Sequence, residues 1–196
     1  MIRPILFNTE MVQAILAGRK TVTRRVVRPK YKEDEGGFEV LTNMGTGERW
    51  LEKVDRKEMS FDTPRYINPP YCLNDILYVR ETWQHLYELD GNEEIIKGTG
   101  KYYYAATDSL PTGEYVDSRG STYETVSWKP SIHMPKAAAR IWLKVTEVRV
   151  ERLQDIDDDE VVAEGLQIGD PFDELWNSTI KKKDLSLYGW DANPWV

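Results

Sequence analysis

The chain has 196 residues, 40% of them hydrophobic and 30% charged, which suits one well-buried domain rather than two and excludes a disordered protein. Its formal net charge of −7 excludes a protein that coats nucleic acid through charge alone, a mode that needs many phosphate contacts. The one cysteine, Cys72, lacks an internal partner and no paired Cys/His spacing exists, so neither a disulfide, a metal site nor a cofactor is expected.

No apolar run approaches the roughly 20 residues that span a bilayer, so no signal peptide, membrane helix or membrane partner is expected, and the expected compartment is a reducing cytoplasm. Ile5-Leu6-Phe7 reads as a first strand. Asn8 or Thr9 then caps a helix with Met11, Val12, Ile15 and Leu16 on one face, ended by Gly18 in the left-handed conformation.

The stretch that follows gathers Arg19, Lys20, Arg24, Arg25 and Arg28 in an acidic protein. Thr21 and Thr23 set hydroxyls among these cations, a pattern suited to a polar ligand and to a shifted lysine pKa. From Lys20 to Val27 the β-branched residues predict an extended segment closed by Pro29, making a helix-to-strand junction. Thr23 and Arg25 would share one strand face with Lys20 on the other, so Lys20 and Thr23 act jointly only across a bend or bulge. The alternative is a helix C-terminus whose carbonyls attract cations, followed by a solvated strand.

Residues 31–71 carry Gly36-Gly37, Gly45, Gly47, Pro64 and Pro69-Pro70 among alternating charges and read as an insertion of hairpins. Asn74-Asp75 turns into one strand, Ile76 through Trp83, whose Arg80 and Glu81 read either as site residues or as an edge-strand charge pair. Residues 84–127 form a second insertion with a strand at Tyr102-Tyr103-Tyr104-Ala105. Trp128 through Pro135 is expected to run extended between its prolines, with His133 packed or hydrogen-bonded.

The longest predicted strand covers Arg140 to Leu153. Its apolar phase slips near Thr146-Glu147, which suggests the bulge or corner of a small barrel. Asp157 caps a short helix, with Glu160 at the capping-box position and Ile156 stapled to Val161. Glu164 falls at that helix's C-terminal end, where the dipole disfavours a carboxylate; it is either a frayed exposed residue or the partner of a cation. Asp170-Pro171 opens a last helix with Phe172, Leu175, Trp176 and Ile180 inward and Lys181-Lys182-Lys183 at its end.

These segments together resemble the ASCH-domain proteins, relatives of the PUA-like RNA-binding barrels, over most of the chain. Gly18-x-Lys20-x-x-Thr23-x-Arg25 matches the family signature, and Asp75-Ile76-Leu77-Tyr78-Val79-Arg80-Glu81-Thr82-Trp83 its characteristic strand. Ser131 to Pro135, Glu151 to Ile156, Ala163-Glu164-Gly165 and Trp190 to Trp195 follow in the expected order. The resemblance implies an α+β fold, a single small PUA-like β-barrel domain over 1–196 with peripheral helices and the two long insertions. It also implies amidohydrolase chemistry on an N4-acetylcytidine-like base. Lys20, Thr23 and Glu164 would be catalytic, with Arg24, Arg25, Arg80, Glu81 and Trp83 against a nucleoside-like molecule or RNA.

Two features depart from the resemblance: the small amidohydrolases lack both insertions, and family members usually continue past the Asn-Pro-Trp segment into a closing strand, whereas this chain ends at Val196. Three readings follow: such an amidohydrolase, a non-catalytic RNA- or nucleotide-binding module with Trp83, Tyr103 or Trp195 stacking on bases, or a phage accessory or structural protein.

Overall fold

The computed structural model describes residues 1–28, 38–42, 49–53, 66–67, 69–111, 115–117, 120 and 127–196. In chain order its elements are β1 (Ile2–Leu6), α1 (Thr9–Leu16), β2 (Phe38–Thr42), β3 (Arg49–Lys53), β4 (Tyr66–Ile67), β5 (Ile76–Arg80), β6 (Trp83–Glu88), β7 (Lys101–Tyr104), β8 (Tyr115–Asp117), β9 (Trp142–Lys144), α2 (Asp158–Ala163), α3 (Phe172–Thr179) and α4 (Leu185–Tyr188). The fold is mixed α+β, its described ladders making three-stranded sheets ordered β1-β5-β9, β2-β3-β4 and β7-β6-β8. Two compact units result, Met1–Gly18 with Ile76–Lys144, and Arg19–Asp75 with Val145–Val196.

In the first unit β1 lies parallel to β5, and β9 pairs antiparallel with β5's other edge. Strand alternation buries Ile5, Leu77 and Val79. Asn8 caps α1 by accepting from the Met11 N–H at 2.8 Å, and Gly18 takes φ 71 just past its end. The buried residues of α1 are Val12 and Ala14, whereas Leu16, expected on the inward face, is 49% exposed in the last turn of a short helix.

The strand predicted to run unbroken to Trp83 is two strands. β5 stops at Arg80 because Glu81 is committed to a side-chain pair and its N–H faces Met134 Sδ at 3.2 Å. β6 starts afresh with β7 and β8 as its antiparallel neighbours. The segment from Trp128 to Pro135 also departs from an extended path, with a 3-10 turn at Ser131–His133 closed by the His133 N–H on the Pro130 carbonyl. That turn leaves His133 exposed rather than packed, and sends Met134 into a core with Trp83, Ala138, Tyr102 and Tyr104.

The second unit contains the β2-β3-β4 meander, which accounts for part of the 31–71 insertion as antiparallel hairpins. The turn residues expected at 36–37, 45, 47 and 64 lie outside the described residues. Its core is Leu153, Phe172, Trp176 and Val196, with Val26, Ile156, Val161, Leu166, Ile180 and Trp190 packed around it. Thus α3 presents its expected stripe, although Leu175 is only half-buried. Asp170 does not cap α3; its carboxylate accepts from the Gln167 N–H at 2.8 Å.

The long strand expected over 140–153 shrinks to β9. Beyond it Val145 exchanges backbone bonds with Asn74 and Asp75, and Glu151 with Val196. The slip at Thr146-Glu147 therefore marks a change of pairing partner.

Candidate functional site: a buried lysine-glutamate pair at a helix end

Helix α2 begins with the Asp157 carboxylate accepting from the Glu160 N–H at 2.8 Å. It ends with carbonyls that have no partner inside the helix. The basic stretch supplies the missing donors: the Thr21 and Val22 N–H groups reach Ala163 O at 2.8 and 3.0 Å, and Arg19 Nη1 reaches Gly165 O at 2.6 Å. Residues 20–28 form no strand, correcting the helix-to-strand expectation: the Thr21 and Val22 donors are spent on the helix terminus, that of Arg24 on the Glu164 carboxylate and that of Val27 on Trp195 O.

Lys20 completes this cap. Its Nζ donates to Val22 O at 2.8 Å, Glu164 O at 2.9 Å and Glu164 Oε2 at 2.5 Å. Glu164 Oε1 accepts the Arg24 backbone N–H at 2.6 Å. The carboxylate that the helix dipole disfavours is thus held by a cation and an amide, both supplied by the signature stretch. Both side chains are buried, at 2% and 8% exposure.

Burial pulls the Lys20 pKa below its ordinary 10.5; Glu164 opposes the shift by charge and hydrogen bond, while the Arg25 and Arg24 charges add to it. Between that lowered value and 10.5 the unfolded chain holds more protons than the folded one, so Lys20 makes stability rise with pH in that window. Replacing exposed Arg25 by alanine is expected to raise the Lys20 pKa, and Glu164→Gln to lower it further. A 13Cε titration of labelled lysine reads both directions.

Arg24 extends the pair into a network. Its Nη2 meets Glu151 Oε1 at 2.8 Å and Glu160 Oε2 at 2.5 Å, and its Nη1 lies 3.5 Å from Glu164 Oε1. Arg149 Nη2 meets the other oxygen of Glu160 at 2.8 Å. Glu160, expected to close a capping box, turns its carboxylate to these two arginines instead. Arg149 Nε also lies 3.4 Å from Glu147, so among the described residues the network joins three cations to four carboxylates, and Arg24 keeps Nε and Nη1 buried without a hydrogen-bond partner.

Reading the sequence missed Arg149, Glu151 and Glu160 as members of this network. The alternation Glu147-Arg149-Glu151 was the available signal, since residues two apart share a face of an extended chain.

Of the anticipated site residues, Lys20, Glu164 and Arg24 come together. Thr23 is half-buried beside them in sequence, but no hydrogen bond joins its hydroxyl to Lys20 or Glu164 among the described residues; Arg25 is exposed. Arg80, Glu81 and Trp83 belong to the other compact unit. There Arg80 Nε donates to Met134 O at 2.8 Å and its Nη2 to Ile132 O, which fastens the turn. Glu81, 1% exposed, takes a two-point bond from Arg140 at 2.9 Å on each oxygen, so it is not an edge-strand partner of Arg80.

Trp83 is buried, with Lys129 Nζ 5.4 Å over its ring. Among the described residues no group of histidine, cysteine and carboxylate side chains is placed to hold a metal ion. No described helix is long and apolar enough to cross a membrane.

Comparisons of the chain with protein-family models, curated proteins and solved structures give no match. The functional reading therefore rests on the site itself.

Proposed function

We propose that the protein is an ASCH-like domain with a small PUA-like β-barrel, and that it removes an acyl group from a modified cytidine-like base in a nucleoside or RNA. The observation that carries this reading is the buried Lys20–Glu164 pair at 2.5 Å, set in a basic segment with Thr23 three residues away. A lysine whose proton is loosened by burial, in contact with a carboxylate that can take it, is a means of generating a base.

In the proposed reaction Glu164 accepts the Lys20 ammonium proton, and neutral Lys20 takes the proton of Thr23. The Thr23 oxygen then bonds to the acyl carbon. Collapse breaks the C–N bond, and the base's amine departs with the proton held by Lys20. Water hydrolyses the threonyl ester, releasing the carboxylic acid and restoring the hydroxyl. Arg25 steadies the developing oxyanion. Substrate binding must bring the Thr23 hydroxyl to Lys20.

A second reading, a non-catalytic nucleotide- or RNA-binding module, is favoured by the three oxygen acceptors already surrounding Lys20 Nζ. Thr23 separates the two. Wild type and the variants Thr23→Ser and Thr23→Ala are incubated with acylated nucleosides, N4-acetylcytidine included, and products are read by mass spectrometry. Turnover is expected to survive Thr23→Ser and to fall on the order of a thousandfold in Thr23→Ala. Folded wild type inert on every member would remove the enzyme reading and leave binding.

A further inference from the structure

Arg24 offers Glu164 its backbone and withholds its guanidinium. The amide donates to Glu164 Oε1 at 2.6 Å, but Nη1 stops 3.5 Å from the same oxygen and makes no hydrogen bond to it. The guanidinium bonds instead through Nη2, to Glu151 Oε1 at 2.8 Å and to Glu160 Oε2 at 2.5 Å. With the side chain 4% exposed, water does not serve the unpaired Nε and Nη1 from outside.

Buried donors left unpaired are costly, and a small rotation of the guanidinium would bring Nη1 to the Glu164 carboxylate. What holds the fork away is the pair of carboxylates on Nη2. Each is anchored without reference to Lys20: Glu151 exchanges backbone bonds with Val196, and Glu160, in the first turn of α2, gives its other oxygen to Arg149 Nη2 at 2.8 Å.

The consequence is chemical. A carboxylate held by a guanidinium fork is fixed in its ionised form and is a poor acceptor of a proton. Glu164 instead has an amide on Oε1 and the Lys20 ammonium on Oε2, so one oxygen stays available for proton exchange with the lysine.

We propose that Glu151 and Glu160 are positioning residues: by holding the Arg24 guanidinium away from Glu164, they keep that carboxylate able to take the proton of Lys20. As a role in catalysis this rests on the deacylation proposed above; as an arrangement of charge it does not. No ion pair joins Glu151 or Glu160 to Lys20 among the described residues, so both act through Arg24. Beyond burial, the charges of Glu164, Arg25 and Arg24 are what move the Lys20 pKa.

The test is Glu160→Gln, which keeps the shape of the side chain and removes its charge, read by the 13Cε titration of Lys20. With one carboxylate fewer on Nη2, the Arg24 charge is less compensated and Nη1 turns to Glu164 Oε1. Both changes favour neutral lysine, so the titration midpoint is expected to fall. The same substitution made in an Arg24→Gln background is expected to leave the midpoint where Arg24→Gln alone puts it. Glu160→Asp, which keeps the charge, is expected to restore most of the wild-type value, and urea midpoints show which variants are folded. On N4-acetylcytidine, kcat of Glu160→Gln is expected to fall by about tenfold or more with KM unchanged, because positioned proton transfer contributes on the order of a hundredfold or more.

A Lys20 midpoint unmoved in folded Glu160→Gln, or moved equally with Arg24 already replaced, would overturn the proposal and leave the network as a fastening of α2. A fallen midpoint beside a wild type inert on N4-acetylcytidine would remove the deacylation and keep the charge arrangement.

Discussion

Lys20→Met is expected to lower the unfolding free energy by about 2–4 kcal/mol, because it leaves the buried Glu164 carboxylate with only the Arg24 guanidinium, 3.5 Å away, as a cation. Lys20 and Glu164 are 2% and 8% exposed, so water does not replace the lost partner. Urea denaturation measures the loss, and the double variant Lys20→Met/Glu164→Leu is expected to recover most of it, since a well-packed apolar pair avoids the desolvation of both charges. A double variant no more stable than Lys20→Met would show that the pair contributes through its hydrogen bonds to Val22 and Arg24 rather than through its charges. The stability loss also bears on function: a Lys20 variant without activity is informative only where its urea midpoint shows that it is folded.

Arg140→Ala is expected to cost a similar amount, about 3–5 kcal/mol, for the same reason in the other compact unit. Glu81 is 1% exposed and both its oxygens are bonded to Arg140, whose guanidinium also donates to Thr107 Oγ1 at 2.9 Å and lies 4.0 Å over the Tyr104 ring. Arg140→Lys should recover only part, because an ammonium makes neither the two-point bond nor the planar stack. Urea unfolding of the three proteins tests the ranking. Full stability in Arg140→Ala would mean that Glu81 tolerates isolation, which would fit a carboxylate kept for a ligand better than one held for the fold.

Much of the local structure was legible because local chemistry dictates it. Asn8 and Asp157 cap their helices as the spacing predicts, Gly18 takes the left-handed conformation that ends α1, and Phe172 and Trp176 enter a core from one side of α3. The placement of Glu164 was legible only as a choice between a frayed exposed end and a cation's partner, and the structure takes the second. A carboxylate at the wrong end of a helix dipole calls for a cation, and Lys20 is that cation.

Strand limits were not legible. The run into Trp83 stops at Arg80, and the run from Arg140 shrinks to three residues, because β-propensity does not say which neighbour supplies the next hydrogen bond. Nor did the sequence show the local partners of Arg80 and Trp83, which fasten a turn and a core within the first unit.

What the sequence determined by itself was therefore the set of short-range choices: caps, turns, the α3 stripe, the acidic character, and a basic stretch after α1 that demands anionic or carbonyl partners. Tertiary structure decided which partners those were. It brought α2 some 140 residues along the chain to the stretch, so that Ala163, Glu164 and Gly165 accept from it, and it recruited Glu151, Glu160 and Arg149 around Arg24. The physical reason is that a buried donor specifies only that an acceptor must exist; which acceptor meets it is settled when distant segments pack against one another.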